Sequence, residues 1–221
     1  MKTEIIVVTY KQPEYEARCL KSVIECTKDF QLTLWDNRVD NIPLSKLWNK
    51  LTEESNKEYI CLLNSDTVVT PNWLEKLEST LDNNPECGAV MPCSNVVGVT
   101  EARIEIPYNR YTKDTQEVYD FKFNPLGEIT AGCLSGFCLL YRKKVWEEVG
   151  KFDEDFIFYG EDSEFTRRIA KSNWHLRINK NVFVHHYGGV SAEAANDDCH
   201  DKFNRQEMVK FSRELYKKKI L

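Results

Sequence analysis

The chain predicts an α/β domain built on a mostly parallel central sheet with helices on its faces, and three observations predict it. Short β-branched runs such as EIIVVTY (4–10) and EYICLLN (58–64) are apolar without alternation, as in strands buried on both faces. The stretches between them repeat apolar residues at helical spacing. The two patterns alternate from residue 4 to about residue 93, which is the signature of a βαβαβ layer.

Each element follows in order. After the first strand, Pro13 suits a first helical turn, and Ala17, Leu20 and Ile24 recur at helical spacing. QLTLWD (31–36) reads as the second strand, LSKLWNKLTEES (44–55) as a helix, and EYICLLN as the third strand. Thr70-Pro71 opens another helix with Leu74, Leu77 and Leu81 as its stripe, and GAVMPC (88–93) reads as a fourth strand. Between about 95 and 130 the periodicity fades; Asn, Pro and Tyr punctuate a loop with short irregular pieces, a candidate lid or acceptor-contacting insert. Order resumes with CLSGFCLLYR (133–142) as a strand, RKKVWEEVG as a helix closed by Gly150, and GEDSEFTRRIAKSN (160–173) as a helix. NVFVHH (181–186) is a late strand, and the charged tail from about 200 to 219 is a helix whose basic end complements its dipole.

Bulk composition narrows the function. A chain of 221 residues that is 42% hydrophobic and 29% charged suits one soluble domain with a good core. Thirty basic against thirty-five acidic residues leave a net charge of −5, so no nucleic-acid partner is expected. The opening apolar stretch is short for a signal peptide, and no segment reaches bilayer-spanning length. The expectation is a cytoplasmic protein with no transmembrane segment, at most peripheral at a membrane. Its eight cysteines should then stay reduced, and the spacings Cys87 to Cys93 and Cys133 to Cys138 are not those of a zinc ribbon.

Gly88 is the first glycine, so the opening βα unit has neither a dinucleotide fingerprint nor a P-loop. A nucleotide on this sheet must be held by side chains, by strand-end backbone or through a metal. Three strands end in polar groups, at Thr9-Tyr10, Asp36-Asn37 and Asn64-Ser65-Asp66, and open α/β sheets bind ligands beyond such ends. Asp66 reads either as an Asx turn or as an oxygen ligand for a hard cation against a diphosphate. Glu161 and Asp162 open a helix, where acids offset the dipole. Partial burial beside Phe156, Phe158 and Tyr159 would also raise a carboxylate toward the range of a general base. In VFVHHYGGVS (182–191), Val182, Val184 and His186 share one strand face, with Phe183 and His185 on the other. One of the two histidines is structural, and a strand-end imidazole would complete a cation site at Asp66.

Taken together, IIVVTYKQPEYEARCLKSV, LTLWDN, LLNSDTVVTPNWLEKL, SGFCLLYRKKVWEEVGKFDEDFIFYGEDSEFTRRI and VFVHHYGGVS resemble, in order and spacing, the family 2 glycosyltransferases. The resemblance implies the GT-A fold: a single α/β domain with a Rossmann-like nucleotide-binding half and an acceptor half. It also implies sugar transfer with inversion from a nucleotide diphosphate sugar to a hydroxyl acceptor such as a glycan or a lipid-linked one, as in polysaccharide biosynthesis, with Mn2+ or Mg2+. The halves fall at 1–94 for the donor, 95–130 for a variable insert, 131–191 for the catalytic and acceptor part, and 192–221 for a helical tail. Carried over by position, Thr9, Tyr10, Asp36 and Asn37 line the base and ribose pocket, with Asn64 and Ser65 also among the residues that bind the donor. Asp66 matches the last acid of the metal motif, His186 the late metal ligand, Asp162 the catalytic base and Glu161 its neighbour near the acceptor. Ser135 and Gly136 fall where the family's loop meets sugar and acceptor. Asn64 stands in place of the motif's first acid, which weakens the expected cation site.

Two rival readings remain at this point. A sugar-nucleotide pyrophosphorylase would share the layer and the acidic site, but TYKQPEYEAR lacks the Gly-rich loop of those enzymes. A noncatalytic carbohydrate-binding or scaffold protein would suit the reduced metal motif, whereas the intact Glu161-Asp162 pair speaks against it.

Overall fold

The computed structural model describes residues 1–157, 159–190 and 205–220. Strands β1 (Thr3–Thr9), β2 (Phe30–Asp36) and β3 (Tyr59–Asn64) lie in parallel with β1 in the middle, joined by α1 (Pro13–Cys26) and α2 (Leu44–Glu54). This is the expected βαβαβ opening. Ile5, Ile6 and Val7 in β1 and Ile60 to Leu63 in β3 are all buried, because helices and neighbouring strands leave neither strand a wet face.

Five further strands extend the sheet. They are β4 (Thr67–Val69), β5 (Cys87–Cys93), β6 (Glu128–Ala131), β7 (Cys138–Arg142) and β8 (His175–His186). The order is β2-β1-β3-β7-β5-β8-β4, with β6 also paired to β8. β5 and β8 run parallel, and β7 is inserted antiparallel between β3 and β5, so two parallel blocks are stitched together by one reversed strand.

Helix α3 (Trp73–Asn83) begins two residues after Pro71, because Asn72 is left-handed (φ 62°) and the Thr70 hydroxyl donates to the Phe183 carbonyl at 2.6 Å instead of capping the helix. The strand expected over 133–142 starts only at Cys138, since 133–137 form a loop laced to a later helix. β4 is a three-residue pairing with β8, too short to leave a periodic signal. β8 begins six residues before NVFVHH, with β5 on one side and β6 on the other.

The segment without periodicity contains a 3₁₀ turn (Thr100–Ala102), α4 (Thr115–Asp120) and β6. Its Tyr108, Tyr119, Phe121 and Phe123 pack with Val68, Phe183 and Tyr187 into a second apolar cluster. Phe121 meets Phe183 edge-on with ring centroids 4.9 Å apart. The alternation read in VFVHH holds: Val182 and Val184 belong to the main core, while Phe183 faces the second cluster. Helix α5 (Lys143–Val149) ends at Gly150, α6 spans Glu161–Ala170, and α7 spans Arg205–Ile220. Residues 200–204 of the expected tail helix, and Phe158, lie outside the described residues. Among the described residues no helix is long and apolar enough to cross a membrane.

Because Phe183 joins β8 to the second cluster, Phe183→Ala should cost about 3–5 kcal/mol in denaturant unfolding. Amide exchange should accelerate in 104–123 before it does in β1 and β3.

Candidate active site

β3 ends at Asn64, and Ser65-Asp66 turn the chain into β4. Thr67 pairs with His186 across β4 and β8, and the Tyr187 N–H donates to the Asp66 carbonyl at 3.0 Å. These backbone contacts bring together two residues 120 positions apart in the chain. Asp66 is buried, and its Oδ1 lies 3.2 Å from His186 Nε2.

His186 is held from several directions. Its N–H donates to Asn95 Oδ1 at 2.8 Å and its carbonyl accepts from Asn95 Nδ2 at 3.0 Å. Its Nδ1 lies 2.8 Å from the Val96 carbonyl, and Phe137 stacks on the ring at 5.2 Å. A carbonyl only accepts, so Nδ1 carries a proton and the neutral ring turns the lone pair of Nε2 toward Asp66. That Nε2 is buried without a well-directed hydrogen bond. A carboxylate and an imidazole lone pair facing each other in this way fit a small divalent cation whose other positions are left to water and phosphate. Among the described residues no group of three or more His, Cys, Asp or Glu could hold a metal ion. Burial disfavours charge on both groups, but their mutual attraction and hydrogen bonds outweigh it, so the His186 pKa is raised above and the Asp66 pKa lowered below its ordinary value.

His185 points the other way. It is fully buried; its Nε2–H donates to the Arg110 carbonyl at 2.9 Å and its Nδ1 faces the Tyr108 hydroxyl at 3.3 Å. Burial pushes it down to about 4, so it is neutral and structural.

Glu161 and Asp162 form the first turn of α6, entered through Tyr159 and Gly160 at positive φ. Asp162 Oδ2 accepts the Gly136 N–H at 2.6 Å, and Oδ1 accepts the Ser163 N–H at 2.6 Å and its hydroxyl at 3.2 Å. Burial raises the Asp162 pKa and these donors restrain the rise. Glu161 is 7% exposed and its Oε2 has no hydrogen-bond partner. Burial, with the Asp162 charge adding to it, pushes Glu161 up to about 8, so it keeps its proton at neutral pH.

The loop before β7 joins the two pairs. Leu134 is clipped to α6 through the Thr166 hydroxyl (3.1 Å from the Leu134 N), and Gly136 approaches Asp162 so closely that a Cβ there would lie 2.9 Å from the Asp162 Cβ. The next residue, Phe137, covers His186 with its ring, while its carbonyl accepts from the Asn64 N–H at 2.8 Å. Consecutive residues thus touch the Asp162 carboxylate and the His186 ring. Ser135, partly buried, donates its N–H to the Met91 sulfur at 3.2 Å.

At the neighbouring strand ends, Thr9 and Ser65 are buried. Asp36 is exposed and forked by the Arg38 guanidinium, which holds its pKa below the usual value. Asn37 spends its amide on the Ile42 backbone, with both bonds at 2.9 Å, and so fixes the turn beyond β2. Tyr10 follows the last residue of β1. Sequence reasoning missed Asn95, Val96 and Phe137. Asn95 and Val96 open the segment without periodicity, and Phe137 was legible only as the residue after Ser135-Gly136.

A model of the glycosyl transferase family group 2 matches residues 59–207, well over half of the chain. The chain belongs to this family. Its α/β architecture agrees with that membership. Over 47 residues the chain is 43% identical to the N-acetylglucosaminyl-diphospho-decaprenol L-rhamnosyltransferase of Mycobacterium tuberculosis, in strains CDC 1551 / Oshkosh and ATCC 25618 / H37Rv. That stretch is 21% of this chain and 15% of the relative. Its fold is similar to the crystal structure of GalNAc-T7 with UDP, GalNAc and Mn2+, at a TM-score of 0.63 and 12% identity. The likeness covers 84% of this chain and 43% of that one, so the chain spans less than half the length of these relatives.

Two outcomes follow from this geometry. A glutamate that titrates near 8 in the folded state and near 4.5 when unfolded holds a proton that unfolding releases, so its contribution to stability is lost as pH rises through that window. Glu161→Gln should flatten the decline and stabilise the protein above pH 8 by a few kcal/mol in denaturant titrations at stepped pH. Gly136→Ala should push Asp162 off its N–H donor and lower kcat by about 10²-fold while leaving Mn2+ binding within about threefold, by single-turnover kinetics and Mn2+ electron paramagnetic resonance.

Proposed function

We propose that the protein is an inverting glycosyltransferase that moves a sugar from a nucleotide diphosphate sugar to a hydroxyl acceptor, with Asp162 as general base and a divalent cation at Asp66 and His186. The observation that carries this reading is the Gly136-Phe137 dipeptide, one end on Asp162 and the other against His186. It supports a single site with a base on one side and a cation position on the other.

In this reading the acceptor oxygen attacks the anomeric carbon from the face opposite the nucleotide. The new C–O bond forms as the bond from that carbon to the β-phosphate oxygen breaks; the nucleoside diphosphate leaves with the electron pair and the acceptor proton passes to Asp162. Configuration inverts. Burial makes Asp162 more basic than an ordinary aspartate, and the Gly136 and Ser163 donors fix its two oxygens while leaving Oδ2 a free lone pair. When bound, Mn2+ or Mg2+ would offset the charge gathering on the diphosphate. Asp66 and His186 would hold it, with Phe137 shielding the imidazole from water.

Thr9, Tyr10, Asp36 and Ser65 lie at the strand ends where the base, ribose and phosphates would rest, with Asn37 shaping the rim through its turn. Asn64, facing Phe137 through its N–H, takes the place of a first acid, which favours a metal bound largely through the donor's own phosphates. The UDP and Mn2+ of the GalNAc-T7 structure, and the rhamnosyl transfer to a diphospho-decaprenol acceptor named for the mycobacterial relative, are in line with this donor and acceptor chemistry.

Asp162→Asn should lower kcat for sugar transfer by about 10³-fold or more, with Kd for the uridine or thymidine diphosphate sugar and Mn2+ changed less than about threefold. Near-normal turnover in that variant, measured by release of nucleoside diphosphate, would remove Asp162 from the role of base.

A further inference from the structure

Helix α2 buries a polar stripe. Ser45, Asn49 and Thr52 fall at i, i+4 and i+7 on one side of the helix, and all three are buried. Apolar residues would fill that side at lower cost, since a buried polar group destabilises unless it is bonded. Each of the three is bonded, to residues 89 or more positions later in the chain. Asn49 uses its whole amide. Its Nδ2 donates to the Phe152 carbonyl at 2.9 Å and to Glu154 Oε1 at 3.0 Å, while its Oδ1 accepts from the Phe152 N–H at 2.8 Å and from Trp146 Nε1 at 3.2 Å. The Ser45 hydroxyl donates to the Phe156 carbonyl at 2.9 Å. The stretch 152–156, between α5 and α6, is thereby tied to α2 at both of its ends.

From this stretch two aromatic rings reach α6. Phe152 packs on Phe165 in the body of that helix, with ring centroids 4.2 Å apart, and on Trp48 of α2 at 5.3 Å. Phe156 is fully buried, and its ring edge lies 3.1 Å from where a Cβ on Gly160 would stand. The chain enters α6 there through two left-handed residues, Tyr159 at φ 68° and Gly160 at φ 96°, immediately before Glu161 and Asp162. A tyrosine in that region is strained, and such a conformation persists only where its surroundings over-determine it. The Phe156 ring against Gly160, with the Phe156 backbone held by Ser45, supplies that constraint.

We propose that Ser45 and Asn49 are positioning residues for Asp162, holding the stretch 152–156 so that Phe156 fixes where α6 begins; this rests on the reading of Asp162 as the acceptor's base. They act through Phe152 and Phe156 rather than on the reacting atoms. Hydrogen bonds suit the task because they fix both distance and direction, whereas packed apolar side chains shift at little cost. A general base must meet its proton within hydrogen-bond reach, and a displacement of about 1 Å costs on the order of 10²-fold in rate. α2 also leaves the turn that Asn37 fixes at the rim of the proposed donor pocket, so one helix braces both sides of the site.

Amide hydrogen exchange tests the brace without any substrate. Three N–H groups report on it: Gly136, bonded to Asp162, and Ser163 and Glu164 in the first turn of α6. Ser45→Ala removes one bond with little change of volume, so it should lower Tm by about 2–5 °C and speed exchange at all three amides by about tenfold. Asn49→Asp keeps the shape but loses the donation to Phe152 and sets a second charge against Glu154, and it should act in the same direction more strongly. Thr80→Ala is the control. It deletes an equally buried hydroxyl of α3, bonded to Glu128 and Asn179, and should lower Tm similarly while leaving exchange at the three amides unchanged. In turnover, read as release of nucleoside diphosphate from a uridine or thymidine diphosphate sugar, Ser45→Ala should lower kcat by about tenfold with KM within about threefold, and Thr80→Ala should change neither. Unchanged exchange in Ser45→Ala, or equal acceleration in Thr80→Ala, would overturn the brace. Faster exchange with unchanged kcat would leave the brace standing and count against Asp162 as the base.

Discussion

The hydrogen bond from the Gly136 N–H to Asp162 Oδ2 is the contact on which the assembly of this site depends. It requires the loop before β7 to lie against the first turn of α6, and only a residue without a Cβ allows that approach. With Gly136 in place, Phe137 must point at His186, and its carbonyl must meet the end of β3. One dipeptide thereby sets the relation between elements that begin at residues 59, 161 and 175. The reversed strand β7 is the structural consequence, since the loop feeds directly into it between the two parallel blocks.

Two pairs of ionisable side chains meet below the surface, one of carboxylate and imidazole and one of two carboxylates, and their electrostatics differ in kind. Asp66 faces an imidazole, so the attraction between the two offsets the cost of burial. Glu161 sits beside another carboxylate, so burial and like charge act together and one proton stays bound at neutral pH. The fold keeps both arrangements dry by different means. The second aromatic cluster backs β8 behind His185, and the Phe137 ring covers His186.

Much of the fold was legible because it rests on local patterns. The unbroken apolar runs of β1 and β3, the helical stripe of α3 and the Val-x-Val alternation ahead of the histidines all survive in the structure. The segment 95–130 was not legible, because Tyr108, Phe121 and Phe123 have no period of their own and are ordered by a surface that β4 and β8 supply from elsewhere in the chain. The run 133–142 was misread over its first half for a related reason. Its apolar composition suits a strand, but Leu134 to Phe137 spend their backbone groups on Thr166, Met91, Asp162 and Asn64 instead of a ladder.

By itself the sequence determined the α/β class, the βαβαβ opening, and the positions of Asp66, Asp162 and His186 at the ends of strands or the start of a helix, since those follow from short-range periodicity and turn chemistry. Only the tertiary structure decided which nitrogen of His186 turns toward Asp66, and that Asn95, Val96 and Phe137 hold the ring in place. The physical reason is that hydrogen-bond partners and burial are properties of neighbours in space. No periodicity in the chain records which distant backbone carbonyl a buried imidazole will meet.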